Sequence, residues 1–271
     1  MKKVFLKTLF FALCGGMILL SCRKDDDENK IVFENKLVKS AAIRPQGEAI
    51  YRPYFYYNYD DQRRLTNVNF GLENAQKPWF TFTYDAQNRI KTIVAVNYTG
   101  TYKYVLNYNG NGTQIVKFTK EILNSNMGIE EIIPQYNTEN HTITYTDKDG
   151  AVYTIRTDVQ DRVITFFEKK DTETLSFSYE YDMTTVLGLH NVKTPVVIPL
   201  YIVAGEHTSS VSENQPLNVM TNYAVTKYSV VEGSYNQQGT MENTKTPGNL
   251  LEKSRINYGE EKYRDMMFIY E

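Results

Sequence analysis

The chain has 271 residues, 13% of them aromatic with 22 tyrosines, and a formal charge of −2. That length accommodates one large domain or two small ones, and the near-balanced charge excludes a nucleic-acid partner and electrostatic attachment to an anionic membrane. A mean hydropathy of −0.47 excludes a body dissolved in lipid, and 15 Gly with 8 Pro are too few for a fibrous or low-complexity chain.

Met1-Lys2-Lys3 is a basic start, Val4 to Leu20 is an apolar run, and Leu19-Leu20-Ser21-Cys22 closes it. This resembles a bacterial lipoprotein signal, and it is too short and wrongly flanked for a transmembrane anchor. The resemblance implies cleavage after residue 21, a lipid on Cys22, and loss of Cys14 with the signal. Removing residues 1–21 takes away Lys2, Lys3 and Lys7, so the charge moves from −2 to −5. No cysteine then remains in the body for a disulfide or a thiolate metal site. Arg23-Lys24-Asp25-Asp26-Asp27-Glu28 follows, and such a charge run is a solvated tether. It also resembles the acidic tract that surface-exposed lipoproteins of the Bacteroidetes carry behind the lipidated cysteine. Residues 22–49 are read as lipidated cysteine and tether, with Ile31 to Lys39 able to form an edge strand. Residues 50–271 are read as one β domain.

That domain is organised by a repeat. Tyr59-Asp60-Asp61-Gln62-Arg63-Arg64-Leu65 returns as Tyr84-Asp85-Ala86-Gln87-Asn88-Arg89-Ile90, and a variant begins at Tyr108-Asn109-Gly110. Each copy ends one strand, turns tightly and starts the next: Asp bonds amides across the turn, and Asn tolerates the left-handed conformation. Further hairpins are expected around Thr146 to Gly150 and Thr157 to Val163, and Leu175 to Tyr181 alternates cleanly. Met183 to Thr194 breaks the pattern with at most one helical turn. Val196 to Val203 reads as a strand, Glu206 to Pro216 as a loop, Val219 to Val231 as a longer strand, and Asn236 to Asn249 as a mobile excursion. Arg255 to Tyr258 and Tyr263 to Tyr270 form a last hairpin. The expected fold is an all-β antiparallel meander of about 14 to 16 strands. Lone hairpins are marginal in water, so the units must pair edge to edge and roll into a strongly curved sheet or large barrel. Two packed sheets are the alternative.

Aligning the copies assigns the faces. Phe55, Tyr57 and Tyr59 match Phe80, Phe82 and Tyr84, then Tyr104, Leu106 and Tyr108, and Leu175, Phe177, Tyr179 and Tyr181 repeat the set, giving one aromatic core ladder. Leu65 and Val68, like Ile90 and Ile93, are three apart and share a face only if a bulge intervenes. On the opposite, mainly polar face Tyr54, Tyr56 and Trp79 are candidate ligand-binding residues, a platform for a sugar or a partner side chain with Asn58 and Thr81 beside it. The competing reading is that Trp79 is covered and belongs to the core.

The motif Tyr-Asp-x-x-x-Arg-Ile/Leu resembles the YD repeats of large bacterial shell proteins. Together with the lipobox and acidic tract, the degenerate hairpins resemble Bacteroidetes lipoproteins of unknown function whose domain is porin-like. The resemblance implies a porin-like fold and an outer-membrane, surface-exposed address, and it brings no activity or catalytic residue. His141, His190 and His207 lack metal-ligand spacing, and Glu130-Glu131 and Glu260-Glu261 are adjacent and point to opposite faces of a strand. Asp147 and Asp149 before Gly150 suggest a turn rather than a calcium loop. No cofactor, metal or catalytic residue is assigned. The leading reading is a non-catalytic envelope lipoprotein, bound to the membrane through its lipid and able to bind a glycan or another envelope protein. A glycan-acting hydrolase is the alternative. An outer-membrane pore is opposed by polar groups on strands such as Lys103 to Asn107.

Overall fold

In a computed structural model of the chain, residues 31–72, 75–97, 100–160, 162–192, 197–208, 221–258 and 262–271 are described. The signal, Cys22 and the tract Asp25 to Glu28 lie outside them. The body, Phe33–Glu271, is one compact unit. It contains 17 strands: β1 (Val38–Pro45), β2 (Arg52–Tyr59), β3 (Leu65–Phe70), β4 (Lys77–Tyr84), β5 (Ile90–Asn97), β6 (Gly100–Tyr108), β7 (Ile115–Ile122), β8 (Ile129–Ile132), β9 (Gln135–Asn137), β10 (Thr142–Thr146), β11 (Val152–Thr157), β12 (Val163–Lys170), β13 (Glu173–Val186), β14 (Tyr223–Glu232), β15 (Tyr235–Lys245), β16 (Leu251–Asn257) and β17 (Tyr263–Tyr270).

All 17 belong to one antiparallel sheet, a meander in which each strand pairs its sequence neighbour except at β8 and β9. The two-sheet alternative is not what forms. β1 pairs both β17 and β2, so the chain's two ends meet in the middle of the ladder. Among the described residues the ladder ends at β8, which pairs β7, and at β9, which pairs β10, and it does not close into a barrel. Ile133 and Pro134 alone separate these two segments. Side chains span the break: the Tyr136 hydroxyl donates to the Ile115 carbonyl (3.0 Å), the Lys148 amide donates to Glu130, and the Phe118 and Tyr145 rings meet edge-on at 5.4 Å.

The expected core ladder is present. Phe55, Tyr57, Phe80, Phe82, Tyr104, Leu106, Phe177 and Tyr179 are all at most 5% exposed. Leu65, Val68, Ile90 and Ile93 are also buried, because a bulge after each Tyr-Asp turn resets the alternation. The sheet curls around this face, and the helix α1 (Val197–Thr208) lies against β5, β7 and β12. Contact with strands so far apart in the ladder places α1 on the concave side, and Val197, Leu200, Tyr201 and Ile202 are buried there.

Three expectations need correction. Of the stretch Val196 to Val203, read as a strand, the described part from Val197 on falls in α1: Pro199 is tolerated in a helix's first turn, and an apolar run of this length fits a buried helix as well as a strand. The tether does not extend to residue 49, since β1 is an interior strand with Val38, Ala41, Ala42 and Ile43 buried. Asn236 to Asn249 is not an excursion: only Thr246 to Asn249 is a turn, and Asn236 to Lys245 belongs to β15. Gly239 fits there because the Tyr228 ring of the paired strand packs over it, so close that a Cβ would lie 2.5 Å from the ring. The meander of about 14 to 16 strands that was expected is present, with 17 strands among the described residues.

Candidate functional site

The repeat explains itself at one rim of the sheet. In the Tyr-Asp turns at Asp60 and Asp85, and in the related Thr-Asp turn at Asp158, the carboxylate accepts two amides, Asp60 from Gln62 and Arg64, Asp85 from Gln87 and Arg89, and Asp158 from Gln160 and Arg162. Its second oxygen binds the turn's own arginine, at 2.7 Å for Arg64 and Arg89. Left-handed Arg63 and Asn88, at φ 61° and 62°, close the first two turns. The arginines also reach forward: Arg64 donates to Asn88, and Arg89 donates to the carbonyls of Gly110 and Gly112. Their guanidinium carbons lie 4.6 and 4.5 Å from the ring centres of Tyr84 and Tyr108. The tyrosines reach back, each hydroxyl donating to the carbonyl that opens the preceding strand: Tyr59 to Val38, Tyr84 to Leu65, Tyr108 to Ile90, Tyr181 to Val163 and Tyr270 to Leu251, at 2.6–2.8 Å. The motif is a chain of staples that fixes one turn to the next. Sequence reading found the residues and missed this reach between units.

On the outer wall the structure separates the three candidate ligand-binding residues. Trp79 is 3% exposed and packs at 5.5 Å from Phe55 and 4.6 Å from Phe80. The pairing of β3 with β4 slips between Val68 and Asn69, and the bulge turns Trp79 to the same side as Phe80. The platform expected from Tyr54, Tyr56 and Trp79 therefore does not form, and Trp79 is core. Tyr54 is half-buried against Phe55 and Phe70, and Tyr56 is half-exposed beside Asn69. The outward side chains around it are Asn58, Asn67, Asn69, Thr81 and Thr83, none of them charged. Asn67 donates to Asn69, and Asn69 to Gln76, each at 3.3 Å.

Elsewhere the outer wall carries ion pairs between neighbouring strands: Lys103 with Glu121, Lys117 with Glu131, and Lys227 with Glu180. The tightest charge cluster joins the chain's ends. Asp265 on β17 stands between Arg44 on β1 and Arg255 on β16, its direct partners in register. It binds both, with a 2.7 Å contact to Arg255, and its side chain is only 6% exposed. The guanidinium carbons lie 4.7 and 4.2 Å from the ring centres of Tyr51 and Tyr263.

The other residues weighed in the sequence have local partners. Glu131 pairs with Lys117 and Glu130 accepts the Lys148 amide. Asp147 accepts the amides of Asp149 and Ala151, which makes it a turn residue. His141 sits in a turn at φ 52°, and the side chains of His190 and His207, with Glu260 and Glu261, lie outside the described residues. Among the described residues no group of three or more His, Cys, Asp or Glu is placed to hold a metal ion.

No protein-family model matches the chain, and no curated protein does. Solved structures similar to it include two porin-like proteins. A porin-like protein from Bacteroides vulgatus ATCC 8482 is 9% identical, with a TM-score of 0.49 over 87% of this chain and 99% of that one. A porin-like protein from Bacteroides uniformis ATCC 8492 is 15% identical, with a TM-score of 0.45 over 86% and 98%. At such identities no side chain of either site can be equated with one here.

The carboxylates make the body acid-sensitive. Burial pushes Asp60, Asp85, Asp158 and Asp265 up, but hydrogen bonds from the arginines and turn amides outweigh it and hold each below the usual carboxylate range. A carboxylate lowered on folding stabilises the fold above its unfolded pKa of ~3.9, and that contribution is lost as pH falls through the folded value. The urea midpoint should thus be flat from neutral pH to about pH 5 and drop below about pH 4. An unchanged midpoint down to about pH 2 would show that these contacts contribute nothing.

Proposed function

We propose that the protein is a non-catalytic envelope lipoprotein, held at the outer membrane by a lipid on Cys22 and exposing its β body to water at the cell surface. The polarity of the wall carries this reading. Side chains pointing into the curl are aromatic and aliphatic, with α1 packed among them, whereas those pointing out include Lys103, Lys117, Glu131, Glu180 and Lys227. A barrel that spans a membrane needs the reverse, an apolar outer band, and a lysine on its lipid face near mid-bilayer costs ~2–4 kcal/mol. Among the described residues the concave side is occupied by buried aromatic and aliphatic side chains and by α1.

The chain enters the body at the rim of the Tyr-Asp turns. The Glu34 amide donates to the Gly248 carbonyl, Arg63 donates to Asn35, and the Tyr59 hydroxyl holds Val38. A lipid on Cys22 would draw that rim toward the membrane and leave the outer wall free for a glycan or another envelope protein. Cys22→Ala is expected to abolish lipid labelling and release the protein from membranes, and the wild type should add no conductance to a planar bilayer. Attachment that survives the substitution would remove the anchor from this reading. Stepwise conductance would remove the water-exposed body.

A further inference from the structure

We infer that the outer wall of β2–β4 is a binding face for neutral saccharides, centred on Tyr56 and the amides of Asn67 and Asn69. This deepens the proposed reading of a water-exposed outer wall free for a glycan and rests on it, but does not depend on the lipid. Three observations converge on the face. First, the outer wall is ion-paired on β6–β8, on β13–β14 and around Asp265, whereas the mid-strand outward positions of β2–β4 hold only amides, hydroxyls and aromatic rings. Neutral sugars present hydroxyls and apolar C–H faces, so a ligand of this class needs no charged partner, and an uncharged face spares it the cost of desolvating one. Second, Tyr56 pairs directly with Asn69, and Asn58 with Asn67, so a half-exposed ring lies beside two planar amides on adjacent strands. An aromatic face with nearby hydrogen-bonding groups suits a sugar ring, whose C–H face stacks while its equatorial hydroxyls reach the amides.

Third, the amides keep capacity to spare. Asn67 donates to Asn69 and Asn69 to Gln76, both at 3.3 Å, which leaves the Asn67 side-chain carbonyl and one N–H of each amide without a partner among the described residues. The bonds fix the amide planes without using up their donors and acceptors. From Tyr56 on β2 to Thr81 on β4 the face spans two strand spacings, ~10 Å, room for a short oligosaccharide lying across the strands.

The test is calorimetric titration of the full chain in zwitterionic detergent micelles with maltohexaose, cellohexaose, xylohexaose and mannohexaose. Oligogalacturonate serves as the anionic control. At least one neutral probe is expected to bind saturably while the anionic one does not. Tyr56→Ala or Asn69→Asp, at unchanged melting temperature, should weaken that binding at least tenfold, about 1.4 kcal/mol. Asn69→Asp keeps the side chain's shape but exchanges its N–H donors for a charged, accept-only oxygen, so it reads the face even if Tyr56→Ala disturbs the fold. The inference is overturned if no neutral probe binds by about 10 mM, if only the anionic one binds, or if neither variant weakens the binding.

Discussion

Trp79→Ala is expected to lower the stability of the body by about 3–5 kcal/mol, the range for deleting a buried aromatic ring. Trp79 is the chain's single tryptophan, and its ring fills the space between Phe55 on β2 and Phe80 on its own strand. The bulge that admits it leaves two successive residues, Trp79 and Phe80, facing the same core. Truncation would leave a cavity bounded by rigid rings and by a ladder that is itself irregular at that point, so the site has little means to collapse. Trp79→Phe keeps most of the volume and should cost clearly less. Urea unfolding of the two variants measures the difference, and a loss under about 1 kcal/mol for alanine would place the ring at the surface. Sugar binding at Tyr56 is expected to persist in Trp79→Phe, because the two side chains point to opposite faces of the sheet.

Asp265→Ala should cost about 3 kcal/mol, at the lower end of the range for breaking a buried ion pair. The carboxylate is nearly fully covered, but the Arg44 and Arg255 side chains are 29% and 40% exposed, and solvent screens part of what their loss of a partner would otherwise cost. Without Asp265 two guanidiniums on flanking strands face one another across β17. The damage should be local before it is global. β1 holds its place between β17 and β2 through this contact and a ladder with bulges on both sides. Amide exchange at Ala41, Ala42 and Ile43 should accelerate more than at the β4–β5 pair. Equal acceleration everywhere would mean that Asp265 contributes to general stability and not to the closure of the chain's ends.

Much of this body was legible in the residues because hairpin chemistry is local. Asp60, Asp85 and Asp158 each act within five residues, so their turns, the bulges after them and the face carrying Phe55, Phe80, Tyr104 and Phe177 follow from spacing alone. What depends on distant parts of the chain was not legible. Trp79 alternates as an outward residue, and only the slip against β3 turns it inward. Val38 to Pro45 has no hairpin partner beside β17 until the ends of the chain meet, so it reads as tether. An apolar stretch such as Val197 to Ile202 suits a buried strand or a buried helix equally, and the choice is made by the space inside the curled sheet. Gly239 looks like a break unless the ring of Tyr228 is known to lie across it. The candidate site shows the same division: Tyr56, Asn58 and Thr81 could be placed on one face from alternation, but Asn67 and Asn69 enter only with the register of β2 against β3.

The claim that the outer wall stands in water and the aromatic wall does not is tested most directly by single cysteines at Thr119 and Ser229. Both are outward positions in mid-strand, on β7 and β14, each half-exposed. The chain's two natural cysteines, Cys14 and Cys22, lie ahead of the body, so an introduced thiol is the only one in it. With the protein in its native membranes, both positions should react with a charged, membrane-impermeant maleimide at the rate of a half-exposed thiol in solution. Protection from that reagent together with reaction toward a lipid-soluble one would contradict the account and put the wall in the bilayer.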